Sequence, residues 1–206
     1  MSAQAFVIDD DDDLRDALAF LLGSRGVRVI QFASAEAFLE RFEPTLRGCI
    51  LTDVRMAGLS GIELVDRLTA LRCHLPVIVL TGHGDVGMAV HAFRNGVRDF
   101  VEKPFNANDL ADRVIGAIED DRCAALKRRE RDAFACKLAD LSARERAVMR
   151  LLLAGKLNKV IADDLGIAMR TVEVHRSRIF ARLSVRSAVE LANLVSRVGW
   201  PEALDP

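Results

Sequence analysis

The sequence contains no apolar run approaching the roughly 18 residues that a membrane-spanning helix needs; its apolar stretch over residues 17–22 is far shorter. No membrane span is expected. A basic N-terminal region followed by a long apolar stretch is also missing, so no signal peptide is expected. Cysteine is sparse. Cys49, Cys73, Cys123 and Cys136 are widely scattered without a CxxC pair, the usage expected of reduced thiols in a cytoplasmic protein. No Gly-rich phosphate loop of the P-loop type occurs, which argues against an ATP-consuming activity. No Cys/His spacing supports a zinc site. Internal repeats and low-complexity segments are absent as well.

What is present is enough apolar sequence for a core. The 206 residues are 50% hydrophobic and 29% charged, a length that fits one large domain or two small ones. The net charge of -1 conceals an asymmetry. Residues 1–122 carry 13 Lys and Arg against 20 Asp and Glu, whereas residues 123–206 carry 16 against 10. An acidic half joined to a basic half implies two domains with different partners.

Short apolar runs rich in Val, Ile and Phe over residues 5–8, 27–30, 49–52, 77–81 and 99–101 read as strands. Helical stripes lie between them: Leu14, Leu18, Leu21 and Leu22; Ile62, Val65, Leu68 and Leu71; and the shorter Ala89, Val90 and Phe93. Alternating buried strands and helices predict an α/β fold, a doubly wound five-stranded parallel sheet. After Phe105 only helical patterns remain. Leu110, Val114, Ala117 and Ile118 open a helix that continues through a charged stretch to about residue 135. Four helices then follow, predicting an all-α domain. Ser142 with Glu145, and Ser187 with Glu190, fit capping boxes, while Asn158 is placed to cap a helix over residues 160–165. Gly155, Gly166 and Gly199 mark helix ends. The expected organisation is therefore 1–121, a helical linker over 122–138, and 139–206.

The polar residues of the first half fall at the strand ends. The first strand runs into Asp9 and Asp10, the third into Asp53, and the fourth ends in Thr81; Lys103 and Pro104 follow the fifth. Taken singly, each has a plainer reading, such as an acidic turn capping the first helix. In a parallel sheet, however, all these ends share one edge, where ligands bind at the switch in strand order. Carboxylates gathered there require a cation, and oxygen donors favour Mg²⁺. A carboxylate beside the metal can attack phosphorus and form an acyl phosphate, with Lys103 and Thr81 receiving the phosphoryl oxygens.

Four segments carry a family resemblance: Phe6-Val7-Ile8-Asp9-Asp10, Leu51-Thr52-Asp53-Val54-Arg55-Met56, Val79-Leu80-Thr81-Gly82 and Phe100-Val101-Glu102-Lys103-Pro104-Phe105. Over residues 4 to about 120 the chain resembles the receiver domain of two-component response regulators, a flavodoxin-like fold. The resemblance implies that Asp53 is the phospho-acceptor of a sensor histidine kinase. It implies Mg²⁺ held by Asp10, Asp53 and the backbone carbonyl of Arg55, with Asp9 acting through water. Thr81 and Lys103 would bind the phosphoryl group, Phe100 would be the aromatic switch, and Lys103-Pro104 would be a cis peptide. Two departures from the family pattern stand out: Ala57 replaces the usual proline after Met56, and Gly87 replaces another. Both add backbone freedom near the site.

In the basic half, two helices joined by Gly166 form a helix-turn-helix pattern. Val172, Ile179 and Leu183 recur at helical spacing and are assigned to the core. Arg170, Thr171, Glu173, Val174, His175, Arg176, Ser177, Arg178 and Arg182 occupy the same helix, an Arg-rich set suited to phosphates and base edges of double-stranded DNA. The run from Leu141-Ser142-Ala143-Arg144-Glu145-Arg146 to Thr171-Val172-Glu173-Val174-His175-Arg176 resembles the LuxR-type DNA-binding domain. Together the halves resemble the NarL/FixJ class of transcriptional regulators, in its FixJ-like branch. By that resemblance Lys159 and Thr171 touch phosphates, and Glu173, Val174 and Ser177 face bases. Ala168 stands where the family usually has a capping Ser.

The resulting expectation is a regulator, not an enzyme, beyond slow self-dephosphorylation. Phosphorylation promotes a homodimer that binds an operator, with RNA polymerase a further candidate partner. Two rival readings remain open. An aspartyl-nucleophile phosphatase usually carries a second Asp two residues after the nucleophile, where this chain has Arg55. A phosphorylation-independent interaction module would leave the same pocket idle.

Overall fold

The computed structural model describes residues 4–82 and 97–199. The helix expected around Ala89, Val90 and Phe93, together with Gly87, lies outside the described residues. The chain divides into two compact units, Met1–Ala124 and Ala125–Pro206.

The first unit is a parallel sheet of β1 (Gln4–Ile8), β2 (Arg28–Phe32), β3 (Cys49–Asp53), β4 (Val77–Thr81) and β5 (Asp99–Glu102). The strand order is β2-β1-β3-β4-β5, and every adjacent pair is parallel. The helices are α1 (Asp12–Ser24), α2 (Ala35–Glu40), α3 (Gly61–Ala70) and the long α4 (Ala107–Ala139), within which the two units meet in sequence. Because side chains alternate along a strand, each strand feeds two cores. Ala5, Val7, Leu51, Ile78 and Leu80 pack with α1 and with Leu110, Val114 and Ala117 of α4. Phe6, Ile8, Ile50, Val77 and Val79 pack on the other face with α2 and α3. A sheet buried on both faces needs near-continuous apolar strands, and the three inner strands β1, β3 and β4 supply them, while the edge strands β2 and β5 carry polar residues as well.

Short polar signals start the helices. Asp11 accepts from the Leu14 amide at the head of α1, and Ser34 from Ala37 at the head of α2. Ser60 and Glu63 form a full capping box on α3. Helix α2 was not foreseen from the sequence. Its six residues span less than two turns, too short a window for a helical period to register, and only the Ser34 cap marks it.

The second unit contains the end of α4, α5 (Ala143–Leu153), α6 (Asn158–Leu165), α7 (Met169–Leu183) and α8 (Ala188–Val198). Its core joins Phe134 and Leu138 to Val148, Leu152, Ile161, Val172, Ile179, Leu183 and Leu191. Two local expectations are corrected. Asn158 does not cap α6: Leu157 occupies the cap position without a side-chain bond, and Asn158 begins the helix itself. Ser187 caps the Glu190 amide, but Glu190 turns its carboxylate to the Arg186 amide rather than completing a box. The Ser142–Glu145 box is complete, and Gly166 ends α6 in the left-handed conformation at φ 60°.

Candidate functional site

The sheet topology determines which residues can meet. Parallel strands place all C-terminal ends on one edge, and the order switches between β1 and β3. Asp9 follows β1, Asp53 ends β3, Thr81 ends β4 and Lys103 follows β5. Their backbones are tied together: the Lys103 amide donates to the Thr81 carbonyl at 2.8 Å, and Val54 N donates to Leu80 O at 2.9 Å. Residues nearly a hundred positions apart therefore share one rim.

The side chains complete the junction. Nζ of Lys103 stands 2.6 Å from Oδ1 of Asp53 and 3.5 Å from Oδ2 of Asp9. Both carboxylates are buried, at 2% exposure for Asp9 and 8% for Asp53. Oδ2 of Asp53 accepts from the Arg55 amide at 2.8 Å, and Oδ1 of Asp9 from the Asp11 amide at 2.9 Å. Asp10 is exposed, and its Oδ2 accepts from the Ala57 amide at 2.9 Å. Burial pushes the Asp9 carboxyl above its ordinary value, and the neighbouring Asp53 charge adds to that, against the opposing pull of the Asp11 amide and Lys103. Burial acts against the Lys103 charge, but the bond to Asp53 and the attraction of both carboxylates prevail and hold the ammonium above its ordinary value.

Asp9 and Asp53 share a single ammonium, and the exposed Asp10 follows Asp9 in sequence, so negative charge is in excess at this rim. Hard oxygen donors with surplus negative charge suit a divalent cation such as Mg²⁺. Among the described residues no group of three or more His, Cys, Asp or Glu side chains converges as a ready-made cage. The implied donor set does not require one. Only Asp10 and Asp53 would contribute side-chain oxygens directly, beside the Arg55 carbonyl, and Mg²⁺ retains several waters. On charge and donor type, the residues fit the ion.

Thr81 is half-buried, and its hydroxyl donates to the Gly82 carbonyl at 3.1 Å. Phe100 is half-buried on β5 and packs against the α2–α3 side of the sheet. The Lys103-Pro104 peptide is cis.

In the second unit, α7 presents two sets of residues. Arg170, Thr171, Glu173, Val174, Ser177 and Arg178 are exposed, as is Lys159 on α6. Val172, Ile179 and Leu183 are buried beneath them, as their spacing requires. His175 and Arg176 are only half-exposed. Arg176 donates to the Asn158 side chain, and its guanidinium lies over the Phe180 ring, 5.5 Å from the centroid. That arginine braces α6 against α7. Ala168 caps α7 without a side-chain hydrogen bond.

Comparisons with known proteins agree with this geometry. Residues 5–115 match the response regulator receiver domain, and residues 139–195 match the luxR family of bacterial regulatory proteins. The chain belongs to the response regulators. It is 47% identical to the transcriptional regulatory protein FixJ of Azorhizobium caulinodans, over 99% of this chain and 97% of that protein. It is 45% identical to the C4-dicarboxylate transport transcriptional regulatory protein DctR of Rhodobacter capsulatus, over 94% of this chain and all of the relative. Among solved structures, the response regulator StyR matches with a TM-score of 0.87 at 38% identity, covering 96% of this chain and 100% of that one. Full-length FixJ from B. japonicum matches with a TM-score of 0.60 at 43% identity, covering 96% and 97%. The chain is accordingly a response regulator transcription factor with a receiver and a LuxR-type DNA-binding domain.

Sequence reasoning missed two supports in this response regulator. Glu36, on the unforeseen α2, accepts from the Leu59 amide at 2.8 Å and so braces the loop that follows Asp53. Asn158, read as a cap, instead anchors Arg176. A side chain that reaches across elements leaves no periodic trace in sequence, so neither had a signal to find.

Proposed function

We propose that Asp53 is the phospho-acceptor of this response regulator and that its modification controls DNA binding by the basic domain. The observation that carries the reading is Lys103 lying between the Asp53 and Asp9 carboxylates at the rim of the sheet. In this reading the donor is the phosphohistidine of a sensor kinase. An Asp53 oxygen attacks phosphorus, the P–N bond to the kinase imidazole breaks, and an acyl phosphate remains on Asp53. Lys103 is already in place for the incoming charge. The Thr81 hydroxyl, now turned to Gly82, exchanges that acceptor for a phosphoryl oxygen. Asp10, Asp53 and the Arg55 carbonyl would hold Mg²⁺, with Asp9 acting through water. When bound, the ion would supply charge neutralisation for the phosphoryl oxygens. Hydrolysis of the acyl phosphate gives slow self-dephosphorylation, the only turnover assigned to the chain.

Phe100, half-buried at the edge of its core, follows Thr81 inward and reshapes the adjoining face. Phosphorylation thereby favours a homodimer in the cytoplasm. Two tethered DNA-binding domains then gain effective concentration on an operator without new base contacts. Residues 1–121 act as the receiver, 122–138 as the helical linker and 139–206 as the DNA reader. On α7, Arg170, Thr171, Arg178 and the nearby Lys159 meet phosphates, while Glu173, Val174 and Ser177 meet base edges; His175 and Arg176 flank them. RNA polymerase is the remaining partner in this scheme.

The deciding experiment is selection of operator DNA by the full chain with and without acetyl phosphate and Mg²⁺. The phosphodonor should raise affinity and dimer content, and Asp53→Asn should abolish both gains. An Asp53→Asn protein that still responds to the phosphodonor overturns the reading.

A further inference from the structure

The loop that leaves Asp53 is held in an unusual way. Three alternate amides, those of Arg55, Ala57 and Leu59, each donate to a carboxylate, and the carboxylates come from three different elements. Arg55 N reaches Asp53 Oδ2 at 2.8 Å, at the end of β3. Leu59 N reaches Glu36 Oε1 at 2.8 Å, on α2. Between them, Ala57 N reaches Oδ2 of Asp10 at 2.9 Å, just past β1. The two outer bonds fix the loop on either side of Ala57, so its amide has little freedom to turn away. The loop is also closely confined there: a side chain on Gly58, at φ +80°, would meet Glu36 Oε1 at 2.6 Å.

The middle bond has a different character from its neighbours. Asp53 is buried and Glu36, though exposed, is fixed on a helix, whereas Asp10 is exposed and lies outside any helix or strand; its other role, in the reading above, is to receive a cation. An amide donating to Oδ2 draws electron density from the carboxylate and fixes its rotation. Both effects oppose transfer of that oxygen to a metal. The donor exists because residue 57 is not proline, the residue usual there in the family, which lacks an amide hydrogen.

We propose that the Ala57 amide is a latch on Asp10, holding the carboxylate in the cation-free protein and releasing it when Mg²⁺ binds. Ala57 is thus a positioning residue that sets the cation concentration at which this regulator becomes competent for phosphotransfer. The inference rests on the reading of Asp10 as a cation ligand.

The test is Mg²⁺ titration of the full chain by calorimetry, with folding checked by circular dichroism. Ala57→Pro removes the competing donor and should bind Mg²⁺ about three- to tenfold more tightly, the worth of one hydrogen bond. Ala57→Gly keeps the amide and should bind no more tightly than the wild type. Asp10→Asn reports on the ligand reading itself and should lose most of the affinity. If Asp10→Asn loses the metal while Ala57→Pro binds it no better than wild type, the latch alone is overturned. If Asp10→Asn binds as well as wild type, the latch falls together with the ligand reading. A measurement on the unmodified protein guards against misfolding of the proline variant. In a ¹⁵N-resolved titration, the Ala57 amide proton should move upfield and exchange faster with solvent as Mg²⁺ saturates, while the Leu59 amide holds still. An Ala57 resonance indifferent to Mg²⁺ overturns the latch.

Discussion

Lys103 and Asp53 are joined by a 2.6 Å ion pair across a gap of 50 positions in sequence, and Asp9 lies on the far side of the same ammonium. Two buried carboxylates thus depend on one cation. Breaking a buried pair by deleting one partner leaves an uncompensated charge and is strongly destabilising, less so where solvent reaches it. The Lys103 side chain is 31% exposed, so the cost should be moderate. Lys103→Met should lower stability by about 1–3 kcal/mol in metal-free buffer. Without the ammonium, the Asp9 carboxyl loses a partner that opposes the effect of burial and rises further above its ordinary value. Such a group weakens the fold as pH rises through its folded value, so the deficit should shrink on acidification. Thermal melts of both proteins in EDTA between pH 4 and 8 check this; a deficit independent of pH would contradict it.

Asp9 leads to the opposite outcome. Burial already raises its carboxyl above the ordinary value, so its charged form burdens the metal-free fold at neutral pH. Asp9→Asn keeps an oxygen for the Asp11 amide and removes that charge. It should raise the melting temperature in EDTA by about 2–4 °C, the shift expected for about 1 kcal/mol. The sign follows from linkage: a carboxyl raised in the fold gives its full benefit below its unfolded value and loses it as pH rises through the folded one. The gain should therefore vanish on acidification. The same variant should take up phosphate from acetyl phosphate more slowly, since Asp9 is read as supporting the cation through water. A site that is less stable than its neutralised variant is characteristic of strain retained for function.

Gly61 sits where α3 starts, against the end of β3. Its amide donates to the Val54 carbonyl at 3.0 Å, and an added Cβ would lie 2.1 Å from the carbonyl oxygen of Asp53. The colliding atom is backbone, so no side-chain adjustment relieves it. Gly61→Ala should destabilise by about 3 kcal/mol, at the upper end for overpacking, and should displace Asp53. Urea melts measure the first effect. Phosphorylation rate under conditions where the variant remains folded measures the second.

The strands, both faces of the sheet and the rim residues were legible in the sequence because each rests on a local regularity. Apolar runs such as Val77–Thr81 declare a doubly buried strand, and polar residues at their ends fall on one edge by topology alone. Capping residues likewise located the start of α5. What escaped was either too short or not local. Helix α2 has six residues, less than two turns. Asn158 looks like a cap because Asn is a good one, yet it is the first residue of α6 and its side chain accepts from Arg176 on another helix. The Asp10–Ala57 contact spans 47 positions and involves a backbone donor, which no side-chain pattern announces.

Ala168 offers a gain rather than a loss. It has the extended backbone of a cap, with φ −67° and ψ 144°, but no side chain to accept from the first amides of α7. Ala168→Ser should supply that acceptor and add about 1 kcal/mol. A rise in melting temperature of the DNA-binding unit within the full chain, followed by a probe confined to that unit, checks it. Because the substitution leaves the exposed face of α7 untouched, operator preference should not change.

The arginines of α7 separate structure from recognition. Arg178 is exposed, whereas Arg176 is half-buried, bonded to Asn158 and stacked over Phe180. Removing each should therefore fail differently. Arg178→Ala should leave the melting temperature unchanged. If Arg178 meets a phosphate, the variant should weaken binding to specific and non-specific duplexes alike and reduce the slope of log affinity against log salt by about one. Arg176→Ala should lower stability by about 1–2 kcal/mol, through the lost cation–π contact and a partly freed Asn158. Its effect on DNA should then come mainly from loosening α6 against α7. Supplying a partner that restores the brace, such as Arg176→Lys, should recover only part of it, because an ammonium lacks the planar fork that bonds and stacks at once. Fluorescence anisotropy over a salt series, paired with thermal melts, resolves the two cases. A stable Arg176→Ala protein with a reduced salt slope would instead place that guanidinium on the DNA.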